Sequence, residues 1–199
     1  AGGGRTHVLV TRAHPDHLNG LAWVGDDDGL DVWGPPPGHG GDGFRWAAVD
    51  GEELALGDAK VAVRPVPHAE RVNGYRVEWQ GVTVAYLGVH QAPPALDTVA
   101  PEVRELASGA DLLVHDACLT ADEWATQSTS GHSTVDYALL VAREAGVCRL
   151  ALFGHAPWRE DDELDLILGE ARAAASCAGV EEVLVAAEGT TVSFERGRP

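Results

Sequence analysis

The chain has 199 residues, enough to bury one substantial hydrophobic core, with 45% apolar residues and a formal net charge of −17. Such an acidic surplus repels polyanions, and no Lys/Arg cluster offsets it, so a general nucleic-acid binder is disfavoured. No apolar stretch approaches the ~18–20 residues that span a bilayer, and no basic-then-apolar leader opens the chain, so no membrane role is expected.

Methionine does not occur, so Ala1 is not a translation start and the expectation is a chain lacking its beginning. Cys118, Cys148 and Cys177 are widely spaced without a Cys-x-x-Cys pair, which fits reduced, mostly buried thiols and a cytoplasmic location.

In chain order, residues 6–10 read as a strand, 18–24 as a short helical segment and 30–33 as another strand. The stretch 34–43, Gly-Pro-Pro-Pro-Gly-His-Gly-Gly-Asp-Gly, cannot form a regular element and is expected to be a loop, either a solvated connection or a gate over a substrate. Strands are predicted at 52–56, 59–66, 74–79 and 81–87, the last two joined as a hairpin with Gly81 in the turn.

The second half changes rhythm. It predicts a helix over 94–108 with Val99, Val103 and Leu106 on one face, a strand at 111–115, and a helix over 133–145. Ser133 and Asp136 resemble a capping box for that helix. A strand at 149–153, a helix over 160–177, and strands at 182–186 and 191–194 complete the chain. A strand-rich half feeding a β/α half suggests sheets packed inside flanking helices, in one domain covering 1–199.

The chemistry-bearing residues sit at the ends of these elements. Residues 11–20 read Thr-Arg-Ala-His-Pro-Asp-His-Leu-Asn-Gly and place His14, Asp16 and His17 in one loop directly after a strand. Carboxylate and neutral imidazole both suit Zn²⁺. His68 follows the 59–66 strand, His155 follows the 149–153 strand, and His132 precedes the 133–145 helix, where free backbone amides favour an anion. Each histidine alone reads as a packing residue, whereas the set at element boundaries points to a site built from distant segments.

The ordered set resembles the metallo-β-lactamase superfamily in its ribonuclease Z and phosphodiesterase-like branch. The matching places are Arg12/His14/Asp16/His17, His68, Gly88-Val89-His90, Val114-His115-Asp116-Ala117, Gly131-His132-Ser133, and His155. The resemblance implies a four-layer αββα sandwich that here lacks its opening strands. A second copy or a missing segment is then expected to cover the first sheet. It also implies metal ligation by His14, Asp16, His17, His68 and His155, with Asp116 orienting His132 as a proton donor beside Asp16.

Two departures bear on that site. Arg12 stands where the family has its first histidine, and a guanidinium has no lone pair to donate. Val89 replaces a bridging aspartate, so two cations would repel with little offset. The expectation is therefore one Zn²⁺ rather than two, with Mn²⁺ or iron as other candidates, held by Asp16, His17 and His155. His90 is a poor substitute, because strand alternation would turn it to the other face.

The implied activity is hydrolysis of a small phosphodiester or related ester by a metal-activated water. The alternative is a catalytically degenerate member acting as a binding or scaffolding module. In that case Arg12 would pair with Asp16 or grip an anion bidentately.

Overall fold

The computed structural model describes residues 5–24, 30–36, 45–176 and 179–194. The small sheet consists of β1 (Thr6–Leu9), β2 (Leu30–Gly34) and β3 (Arg45–Ala48), all parallel and in that order. Between β1 and β2 run α1 (Pro15–Leu18) and a 3₁₀ turn, Asn19–Trp23.

Next come β4 (Glu53–Leu56), β5 (Ala59–Pro65), β6 (Asn73–Trp79) and β7 (Val82–Leu87). These are followed by α2 (Pro101–Ala107), β8 (Leu112–Asp116), α3 (Ala121–Gln127), α4 (Val135–Ala145), β9 (Arg149–Phe153), α5 (Asp161–Ser176) and β10 (Glu182–Val185). The large sheet has the order β10-β9-β8-β7-β6-β5-β4.

Connection length decides the strand directions. The β6–β7 link is the two-residue Gln80-Gly81, both at positive φ (51° and 81°), a geometry that matches strand twist and forces an antiparallel pair. From β7 onward each strand is separated from the next by at least one helix, and β7 through β10 pair parallel.

Period-two alternation splits β5–β7 between two cores. Val61, Val63 and Tyr75 pack with Leu9, Trp33, Val77 and Tyr86 between the sheets. Ala62, Ala85 and Leu87 face the helices on the far side. There α4 buries Tyr137, Ala138, Val141, Ala142 and Ala145, a stripe at helical spacing. On the outer face of the small sheet, Val8, Val10, Leu30 and Val32 are covered by Leu18, Leu21 and Trp46. Helix, sheet, sheet and helix thus stack as an αββα sandwich. Among the described residues no helix is long and apolar enough to cross a membrane.

The sheets are tied together where the site begins. The Tyr75 hydroxyl donates to Val10 O, and burial pushes this phenol above its usual range. Asn73 N donates to Thr11 O at 2.8 Å and its Nδ2 to Val49 O at 2.9 Å. The chain leaving β1 is therefore held against the start of β6 by bonds shielded from water, each contributing about 1 kcal/mol.

Several local expectations are corrected. The helix expected at 18–24 begins at Pro15, a residue suited to a first helical position, and tightens to 3₁₀ from Asn19. The helix expected over 94–108 is confined to Pro101–Ala107, because Leu96 sits at φ 54° and prolines at 93 and 94 interrupt the ladder. The first half also contains β3, which sequence patterning does not reveal.

The capping box lies at Thr120/Glu123, opening the unforeseen α3. Helix α4 is capped by Thr134, which accepts from Tyr137 N, while Ser133 N donates to Asp116. Residues 191–194 form no strand. Most of the 34–43 loop, and Cys177, lie outside the described residues. Cys118 and Cys148 are free, and burial pushes the Cys118 thiol up to about 11, so it stays protonated.

Candidate functional site

The turn after β1 and the first residues of α1 gather four charged or titratable side chains. Arg12 Nη2 donates to Asp16 Oδ2 at 2.9 Å and its Nη1 lies 3.6 Å from Glu70. The other Asp16 oxygen is in short contact with His14 Nδ1 and lies 3.6 Å from His17 Nε2. His17 Nδ1 meets Thr11 Oγ1 at 3.1 Å.

Partial burial works to raise the Asp16 pKa, but the His14 bond and the charges of His17 and Arg12 outweigh it, and the carboxyl titrates below its ordinary value. His17 titrates low, chiefly from burial, against the pull of Asp16.

His68 follows β5 and turns its Nδ1 to accept from Glu70 N at 2.9 Å, which leaves the proton on Nε2. That Nε2 faces Gly131, where a Cβ would come within 2.5 Å; Gly131 also sits at φ 91°, so glycine is required twice over. Burial, then the charge of Arg12, lowers the His68 pKa.

Asp116 ends β8 and is fully buried. Its oxygens accept from His132 Nδ1 at 2.8 Å, from Cys118 N and Ser133 N at 3.1 Å each, and from His90 N at 3.4 Å. The bond from Asp116 raises the His132 pKa despite opposing burial. An imidazolium held by Nδ1 presents Nε2–H as a donor to a developing or resident anion. The charges of Arg12 and Asp16 both reach His132, and the His68 ring packs against Gly131 beside it, so the two clusters are neighbours.

Two histidines of the resemblance are structural here. His115 Nδ1 donates to Asp116 O at 2.7 Å, so its Nε2 accepts from His90 Nδ1 at 3.2 Å. Both rings stack around Tyr137, and burial keeps both neutral. The Ser133 hydroxyl donates to His90 O, and His90 Nε2 is buried without a partner. His90 is therefore locked in a packed cluster and does not stand in for the missing aspartate.

The expected five metal donors are not assembled around one point. The structure brings His14, Asp16 and His17 together and couples His68 to Arg12 and His132. His155 Nε2 donates to Leu152 O at 3.0 Å, its Nδ1 is buried without a hydrogen-bond partner, and burial lowers its pKa. Among the described residues no group of three or more His, Cys, Asp or Glu side chains is placed to hold a metal ion.

The donor chemistry points the same way. Asp16 is engaged on both oxygens, and the guanidinium on one of them would repel a dication about 4 Å away by on the order of 8 kcal/mol at an effective dielectric near 20. With Arg12 among them, these residues fit a metal ion less well than the donor set the resemblance implies. Sequence reasoning also missed Glu70 and Thr11, which hold Arg12 and His17; Glu70 was signalled only by standing two residues beyond His68.

Residues 4–155 match the family model described as the beta-lactamase superfamily domain. A ribonuclease Z of Brevibacillus brevis is 46% identical over 63 residues, 32% of this chain and 20% of that protein. One of Salinibacter ruber is 40% identical over 99 residues, 45% of this chain and 30% of that protein. The chain thus spans well under two thirds of these curated relatives.

Among solved structures, the metallo-beta-lactamase fold protein YhfI of Bacillus subtilis is 19% identical, with a TM-score of 0.73 covering 92% of this chain and 76% of its own. Zn²⁺-bound PqqB of Methylobacterium extorquens is 17% identical, with a TM-score of 0.71 covering 94% and 73%. With the family model spanning most of its length and the sandwich built as described, the chain belongs to the beta-lactamase superfamily.

Proposed function

We propose that this protein is an altered-site member of the superfamily that binds a phosphate-type ester through Arg12 and His132 without a resident metal. One observation carries the reading: the Arg12 guanidinium stands inside the carboxylate and imidazole cluster, paired with Asp16 and close to Glu70. A phosphate oxygen pair matches the guanidinium fork bidentately and can replace Asp16 as its partner. His132, its pKa raised by Asp116, supplies a second cation as pH falls. His17 and His68, both lowered, stay neutral and contribute hydrogen bonds rather than charge.

The test is calorimetric titration with inorganic phosphate, beside elemental analysis of protein prepared with added zinc, manganese and iron. The expected result is substoichiometric metal, phosphate binding that tightens as pH falls through the His132 titration, and a loss of about tenfold or more in Arg12→Gln.

A second reading, metal-dependent hydrolysis of a small phosphodiester, is favoured by Asp16 lying between two imidazoles and by the hydrolytic names of the relatives. About one equivalent of metal, with turnover of a chromogenic phosphodiester, would establish it and overturn the first. The relatives' name also weighs against excluding nucleic acid on net charge alone. A short RNA therefore belongs in the same titration, where binding much tighter than phosphate would make RNA the ligand.

A further inference from the structure

A cavity of about 660 Å³ opens beside His68. Its walls include Pro67, Pro93, Pro94, Pro101, Val99 and Tyr137, and among the described residues no Asp, Glu, Lys or Arg lines it. The Tyr137 hydroxyl donates to Thr98 O at 3.0 Å, so the polar end of that ring is already engaged.

The cavity adjoins the charged cleft through His68. His68 lines it, while its Nε2 packs against Gly131, next to His132. Ala92, on the cavity wall, donates its backbone N–H to His132 O at 3.3 Å. The proline-rich walls are pre-set, since ring closure fixes φ, so an occupant meets little ordering cost.

Its size is that of an organic ligand, within the range of roughly 300–1,000 Å³ usual for such sites and far larger than a phosphate group needs. Walls without an Asp, Glu, Lys or Arg among the described residues give a second phosphate no Lys or Arg to pair with, whereas their apolar side chains gain by covering hydrocarbon.

We propose that the ligand is an aryl or comparably apolar monoester of phosphate, its phosphate between Arg12 and His132 and its apolar group in this cavity. This rests on the metal-free anion site proposed above. The cavity is then the specificity-determining element: it selects an apolar substituent and rejects a charged extension.

The experiment titrates the full chain with inorganic phosphate, pyrophosphate, phenyl phosphate and 1-naphthyl phosphate. The expected result is 1-naphthyl phosphate binding at least about tenfold tighter than inorganic phosphate, with pyrophosphate showing no such gain. Thr98→Trp, which fills the cavity from an exposed position, should cut the naphthyl preference to about twofold or less, with folding checked by circular dichroism. Pro94→Trp, also at an exposed wall position, provides the same measurement if Thr98→Trp does not fold.

Phosphate binding without an aryl preference, or a preference that survives the filled cavity, overturns this inference and leaves the anion site standing. Failure of all four compounds to bind overturns both.

Discussion

Asp116→Asn isolates the part of the site on which His132 depends. The carboxylate is fully buried and accepts from His132 Nδ1, Cys118 N, Ser133 N and His90 N. An asparagine keeps one acceptor oxygen, which is best placed on the Cys118 and Ser133 amides. Its NH₂ then faces His132 and His90 N. His132 can adopt the other tautomer and accept, but the buried His90 N–H loses its acceptor, a cost of about 1–3 kcal/mol. At this chain length that corresponds to a fall in Tm of roughly 2–4 °C per kcal/mol.

The loss should also depend on pH. His132 has a raised pKa in the folded protein, so the Asp116 contact contributes fully below the unfolded value near 6.5 and fades as pH rises through the folded value. The gap between parent and variant is therefore larger at pH 5.5 than at pH 9. Because the His132 side chain is 38% exposed, solvent screening keeps this pH-dependent part within about 1 kcal/mol. Urea unfolding at the two pH values and NMR titration of the His132 ring supply the readouts. A variant as stable as the parent to about 0.5 kcal/mol, with His132 titrating at an unchanged pH, would refute the assigned geometry.

Three further outcomes are expected. The double variant Arg12→His with Val89→Asp should lose stability without metal, because position 89 is only 8% exposed, and regain several degrees of Tm with zinc; a zinc-dependent rise in the parent would sink the argument from Arg12. Unfolding at pH 6 should take up more than about one proton, because burial holds His90, His115, His68, His17 and His155 below the unfolded value near 6.5 and their stabilisation is lost as pH falls from there towards the folded values. Calorimetry in two buffers of different ionisation heat counts those protons, and zero uptake would contradict the assignment. Gly131→Ala should displace His68 and strain a φ of 91° by about 1–3 kcal/mol; an unshifted His68 resonance with unchanged Tm would show that the contact is slack.

The sequence alone determined the elements whose signal is local. The alternation of residues 75–79, the Gly81 turn and the helix expected over 133–145 each rest on signals only a few residues long, and each element formed near where expected. The ordered motif from Arg12 to His155 likewise named the superfamily, because ligand-type residues at strand ends survive as a pattern even when individual members are replaced.

What it left open depended on long-range partners. Whether Asp116 serves His132 was settled by β8 ending beside the residues that precede α4. The contact of Arg12 with Glu70 depended on the turn after β5, which brings Glu70 across. His90 and His155 carried the same letter as the site histidines. Only the fold gave them their partners, His115 and Tyr137 for His90 and Leu152 O for His155. A side chain's chemistry is written at its own position, but the direction in which it points is set by backbone that may lie a hundred residues away.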